Sequence, residues 1–147
     1  MRVCVSVSCA PNRISLYLDS SLGGIANKTI PIDHVFVFVP TKPSRSKQDA
    51  TLVYNADDIA AKYTKLVVTI VKSDIDRGPI EKFTGCVHMM PRSVMDTMVI
   101  VCDDDQIYAP KMIELMLSEY DRLTHVHKTP TDEPQSKCGF SRICKRL

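Results

Sequence analysis

The chain has 147 residues, 44% hydrophobic and 24% charged, with a formal net charge of +2. That length suits one domain with a real core, and the composition is ordinary for a globular protein. The small charge argues against nucleic acid or an anionic membrane as partner, and no segment approaches the roughly 20 apolar residues of a membrane span. The first residues run straight into a strand pattern without a signal-peptide layout, so the expected setting is cytoplasmic and reducing, with the six cysteines as thiols.

In chain order, residues 3–8 alternate valine with small residues and read as a first strand, closed by a turn-rich junction, Cys9-Ala10-Pro11-Asn12-Arg13. Ile14, Tyr17, Leu18 and Leu22 follow helical spacing, with Gly23-Gly24 as the expected stop. Residues 35–39 form a continuous apolar run of the kind covered on both faces, closed by Pro40. Residues 41–53 are polar and basic and are expected to form a long mobile loop. Asn55 suits the N-cap of a helix over 56–63, with Asp57 and Asp58 in its first turn. Residues 66–71 read as a third buried strand, 72–79 as a loop, and a helix follows through Cys86 and His88. Residues 99–102 make a fourth strand. Pro110 then opens a helix with Ile113, Met116, Leu117, Tyr120 and Leu123 on one side. Cys4 and Cys102 fall inside core strands, where cysteine behaves as a small hydrophobe.

The fourth strand ends in three consecutive carboxylates, Asp103, Asp104 and Asp105. Adjacent like charges repel, and a divalent cation removes that penalty. Mg²⁺ and Mn²⁺ are typically held by one or two carboxylates while phosphate oxygens complete the shell. A solvated acidic turn ahead of the next helix is the alternative, since aspartate is favourable at a helix N-terminus.

Strands alternating with helices predict an α/β fold, Rossmann-like, with three αβα layers and a mainly parallel sheet. The common doubly wound order, 3-2-1-4, brings residues 9–13 beside residues 103–105 at the switch point, where ligands bind. An arginine facing an acidic cluster there suits a metal-bound nucleoside diphosphate. Asp76-Arg77-Gly78-Pro79-Ile80-Glu81-Lys82 follows the third strand on the same edge. Gly78 permits close backbone approach, and Lys82, one turn into the helix, can reach a phosphate. The plain alternative is a loop-to-helix junction with a surface lysine.

These motifs together, Pro11-x-Arg13, Val37-x-Val39-Pro40, Tyr54, Asp76-x-Gly78-Pro79-x-x-Lys82 and Val101-x-Asp103-Asp104-Asp105-x-x-Tyr108, resemble those of GT-A-fold glycosyltransferases, in particular small members found in giant algal viruses. The resemblance spans about residues 3–123. It implies a nucleotide-sugar-binding domain over 1–123, with 124–147 as a loosely packed tail. It also implies that Asp103 and Asp105 serve a bound Mn²⁺ or Mg²⁺. Pro11, Arg13, Asp76, Gly78, Lys82, Asp103 and Asp104 would then contact a UDP- or GDP-sugar. The implied acceptor is a glycan or glycoprotein, and the implied location is cytoplasmic, in the host cell if the protein is viral.

The chain departs from that pattern after the acidic run. Glu114, Glu119 and Asp121 suit the solvated face of the last helix, Asp132 and Glu133 lie in the tail, and no carboxylate is placed as the base that would deprotonate an acceptor. The chain then corresponds to the nucleotide-binding half of such an enzyme: a fragment, a degenerate paralogue, or a minimal version whose acceptor site a partner domain or chain supplies. The alternative is a non-catalytic sugar-nucleotide-binding module. A phosphohydrolase of the Asp-x-Asp-x-Thr type has Ile107 where threonine belongs, and Cys138, Cys144, His125 and His127 miss the common zinc spacings.

Overall fold

The computed structural model describes residues 1–42, 56–90 and 97–126. Its centre is a four-stranded sheet of β1 (Arg2–Ser8), β2 (His34–Pro40), β3 (Val68–Ser73) and β4 (Thr97–Asp103), in the order β3-β2-β1-β4. Every pairing is parallel, so all four strands deliver their carboxyl ends to one edge. Between them run α1 (Asp19–Ala26), α2 (Ala56–Lys62) and α3 (Glu81–Met89), and α4 (Met112–Val126) follows β4.

The continuous apolar runs are strands because both faces of the sheet are covered. Val3, Val5 and Val7 of β1, the three valines of β2, and Ile100 and Cys102 of β4 pack on one face against Ile14, Leu18, Leu22, Ile25 and Ile113. Ile59 and Tyr63 join that side at its margin. Cys4, Phe36 and Phe38 point to the other face and meet Cys86 of α3. Each enclosed valine-sized side chain contributes about 1.5–3 kcal/mol, which makes β1 and β2 the rigid centre. Cys4, Cys9, Cys86 and Cys102 are free and buried. Among the described residues no helix is long and apolar enough to cross a membrane.

Several boundaries differ from the sequence expectations. The helix after β1 begins with a 3-10 turn, Pro11–Arg13, and a π-helical segment, Ile14–Leu18, before α1. Gly23 and Gly24 do not stop α1, which continues to Ala26. They serve close approach: a Cβ on Gly24 would lie 3.1 Å from the Tyr108 nitrogen, and one on Gly23 would touch the Tyr63 hydroxyl at 3.5 Å. β3 starts two residues later than expected because the Leu66 N–H donates to the Tyr63 carbonyl (2.8 Å) and finishes the turn after α2. Lys72 and Ser73 belong to the strand, paired with Val39 and Pro40. α4 starts at Met112 rather than at Pro110, since the Met112 N–H closes a turn on Ala109 (3.0 Å) while the Pro110 carbonyl accepts from the Thr29 N–H (3.2 Å). Met116 and Leu123 are exposed, so the buried side of α4 is Ile113 with Leu117 and Tyr120. α4 also runs through Val126, past the expected tail boundary at 123. The expected loop beyond residue 42, the Asn55 cap and residues 127–147 lie outside the described residues.

Candidate functional site

The register places Ser8 beside both Phe38 and Asp103, and Pro40 beside Ser73, so the strand ends form one continuous rim. Above that rim lies a cavity of about 550 Å³. Its walls come from the loop after β1, the end of β2, the loop from β3 into α3, and residues 103–106 at and beyond the end of β4. Arg13, Asp76, Gly78, Lys82, Asp103, Asp104 and Asp105 all line it. Pro11 does not; it opens the 3-10 turn that carries Asn12 and Arg13 to the wall.

The three aspartates are interleaved with two cations. Lys82, only 8% exposed, donates from Nζ to Asp103 Oδ1. Arg13 reaches Asp105 Oδ2 with a terminal nitrogen at 2.6 Å and Asp104 Oδ2 with Nε at 3.1 Å. The second approach lacks the alignment of a hydrogen bond, so Arg13 Nε and the buried Asp104 Oδ2 attract by charge alone. The Arg13 guanidinium also lies 5.2 Å from the Tyr17 ring centre, a cation–π contact. Its hydrogen bond holds the Asp105 carboxyl below the ordinary carboxylate range. Cys9 sits beneath this cluster, and burial and the nearby Asp104 push its thiol far up, so it stays protonated.

The acidic loop has its own scaffold. The Tyr108 hydroxyl accepts from the Asp103 N–H at 2.6 Å and faces the Asp103 carbonyl at 3.3 Å, which ties both ends of the loop together. Ser21 of α1 donates to the same carbonyl (3.2 Å). Lys28 Nζ donates to the Tyr108 and Ala109 carbonyls (2.7 and 2.9 Å) and lies 5.6 Å from the Tyr108 ring centre. Burial pushes the Tyr108 phenol up to about 12.

On the opposite wall, Asp76 Oδ1 accepts from the Gly78 N–H (2.8 Å), and Gly78 adopts φ +62°, which favours glycine. Arg77 donates to both oxygens of Glu81 at 3.3 Å. The buried Ser6 hydroxyl donates to the Lys82 carbonyl (2.5 Å), anchoring the first turn of α3 to the central strand.

The site therefore gathers the sequence-selected residues, Pro11 excepted, and adds Ser6, Ser21, Lys28 and Tyr108 as supports. Tyr108 was visible in the motif Asp103-Asp104-Asp105-x-x-Tyr108. Ser21 and Lys28 carry no local signal, because their partners lie about 80 residues away. As for a divalent ion, no group of three or more candidate ligand side chains converges among the described residues. Asp103 and Asp105, with side chains 62% and 40% exposed, offer two hard-oxygen carboxylates to the cavity. This donor set fits an ion whose remaining ligands are phosphate oxygens and not one enclosed by protein alone.

No protein-family model matches the chain, and no curated protein matches it significantly by sequence. Solved structures of S. aureus TarS do match in fold. The TarS 1-349 structure with UDP gives a TM-score of 0.58 at 17% identity, covering 83% of this chain and 32% of that one. The TarS 1-349 structure with UDP-GlcNAc gives 0.57 at 18% identity, with the same coverage. The longer TarS structure also gives 0.57 at 17% identity, covering 83% of this chain and 20% of that one. The chain thus spans about a third or less of the TarS chains it matches. It shares its Rossmann-like αβα architecture with these TarS structures.

Proposed function

We propose that the chain is the nucleoside-diphosphate-sugar-binding part of a metal-dependent glycosyltransferase of the GT-A type, as in the small viral members that its motifs resemble. One observation carries the reading: two basic and three acidic side chains interlock at the carboxyl edge of a parallel sheet, lining a cavity large enough for a nucleotide. Fold similarity to TarS, whose structures hold UDP and UDP-GlcNAc, supports it. In this reading Lys82 and Arg13 face the diphosphate, Asp103 and Asp105 hold Mn²⁺ or Mg²⁺, and the Asp76–Gly78 turn and the loop after β1 line the nucleoside. A bound divalent ion supplies charge stabilisation to the diphosphate as leaving group. Arg13 and Lys82 add fixed positive charge on either side, and Tyr108 and Lys28 keep the acidic loop from rearranging. The acceptor is a glycan or glycoprotein, and the setting is cytoplasmic.

A second reading, a binding module without transfer chemistry, is favoured by the state of the carboxylates. Among the described residues, each carboxylate lining the cavity has a partner: Asp76 the Gly78 N–H, Glu81 Arg77, Asp103 Lys82, and Asp104 and Asp105 Arg13. None is poised as a base, so transfer would draw on an acceptor site supplied by a partner domain or chain.

Calorimetry of the full chain against UDP, GDP and their sugar conjugates, with and without Mn²⁺, tests both readings. Metal-dependent binding that is lost in Asp105→Ala is expected. Absence of binding to any of these nucleotides would refute both readings, while binding accompanied by donor hydrolysis or transfer would exclude the second.

A further inference from the structure

The acidic run is not left to repel itself. Three carboxylates face two cations, so the cluster carries one net negative charge. Such a site repels a free diphosphate. It also offers a free divalent ion little, because the two exposed carboxylates, Asp103 and Asp105, are already held by Lys82 and Arg13. Bound together, the two ligands largely cancel each other, the ion's positive charge against the negative charge of the phosphates, so the cluster stays near its own net charge, whereas either ligand alone changes it by two or more.

The three aspartates also differ. Asp104 is 6% exposed and faces Arg13 Nε, whereas Asp103 and Asp105 open to the cavity. Arg13 is thus anchored through its inner nitrogen on a buried carboxylate that makes no hydrogen bond at that oxygen, while its outer nitrogen rests on an exchangeable one.

We infer that Lys82 and Arg13 are placeholders: in the ligand-free chain they occupy the carboxylates that a divalent ion needs, and they release them only when a diphosphate offers replacement oxygens. This rests on the reading of the cavity as a metal–diphosphate site and adds to it a thermodynamic property. Lys82 turns from Asp103, and the outer nitrogen of Arg13 from Asp105, while Asp104 keeps the guanidinium in place. The site then takes the metal–diphosphate chelate as one ligand and discriminates against either component alone. Exchange of this kind appears as positive coupling, because an ion lowers the cost of binding the diphosphate and the diphosphate lowers that of binding the ion.

The test measures Mn²⁺ alone by electron paramagnetic resonance, and UDP with EDTA or with Mn²⁺ by calorimetry, in wild type, Lys82→Met and Arg13→Gln, with folding checked by circular dichroism. In either variant Mn²⁺ alone should bind more tightly, UDP with Mn²⁺ more weakly, and the coupling factor should fall roughly tenfold. The opposite signs are decisive: a cation that stays on its carboxylate throughout would shift metal alone and metal with UDP by the same factor, which would overturn the exchange. Arg13→Gln carries the test if Lys82→Met, at a more enclosed position, does not fold. A wild type that binds no UDP in Mn²⁺ would remove the underlying reading, whereas a wild type that binds it with coupling unchanged in the variants would overturn the exchange alone.

Discussion

Lys82 is enclosed by protein except towards Asp103, whose own side chain is largely in solvent. Removing one partner from a fully buried pair costs about 3–5 kcal/mol, but water reaches this pair from the cavity. Asp103→Ala is therefore expected to destabilise by only about 1 kcal/mol, near the upper end for exposed pairs. Asp105→Ala should leave the urea midpoint unchanged while still removing metal-dependent nucleotide binding. Urea titrations followed by circular dichroism check both. Gly78→Ala should cost about 1–2 kcal/mol through its left-handed backbone alone, since a Cβ there would meet nothing within 4 Å. Much of this site was legible in the sequence, because the switch-point rule places Arg13 and the acidic run together without knowledge of any contact. What was not legible was how the charges pair. Repulsion within the run suggested a missing ion, yet Lys82 and Arg13, distant in sequence, already neutralise most of it.

The glycines show how elements are fitted together. Gly85 lies in the middle of α3, where glycine weakens a helix by about 1 kcal/mol relative to alanine. A Cβ there would come within 2.8 Å of Phe38 Cδ1, and Phe38 is 1% exposed. Gly85→Ala should therefore lower stability by about 1–3 kcal/mol despite the better helix propensity, as overpacking outweighs it. A raised melting temperature would contradict that account. Strand order and helix alternation were readable because the apolar runs of β1, β2 and β4 can be satisfied only when covered on both faces. The ends of elements were not. Gly23-Gly24 has the composition of a stop, but its role is set by Tyr63 and Tyr108 arriving from elsewhere in the chain. Leu66 looks like strand and packs half-buried against the core, yet its N–H belongs to the preceding turn.

Across the whole molecule, folding makes several groups harder to ionise. Burial raises Cys86 and Cys102 from 9.0 to about 11, and Tyr63 and Tyr108 from 10.0 to about 12. The folded state holds these protons where the unfolded chain releases them, so their contribution is complete below pH 9 and is lost progressively as pH rises through 9–12. Urea midpoints should fall above pH 9, and Tyr63→Phe or Tyr108→Phe should flatten that fall above pH 10. A midpoint constant to pH 11 would contradict this. The chain has five tyrosines and no tryptophan, so its ultraviolet emission comes from phenol rings with no indole to drain their excitation. Tyr17 lies under the guanidinium of Arg13, itself a cavity-lining residue, which makes the protein its own optical reporter: any event that moves Arg13 should change the brightness of that ring, and Tyr17→Phe should silence the change without added dye.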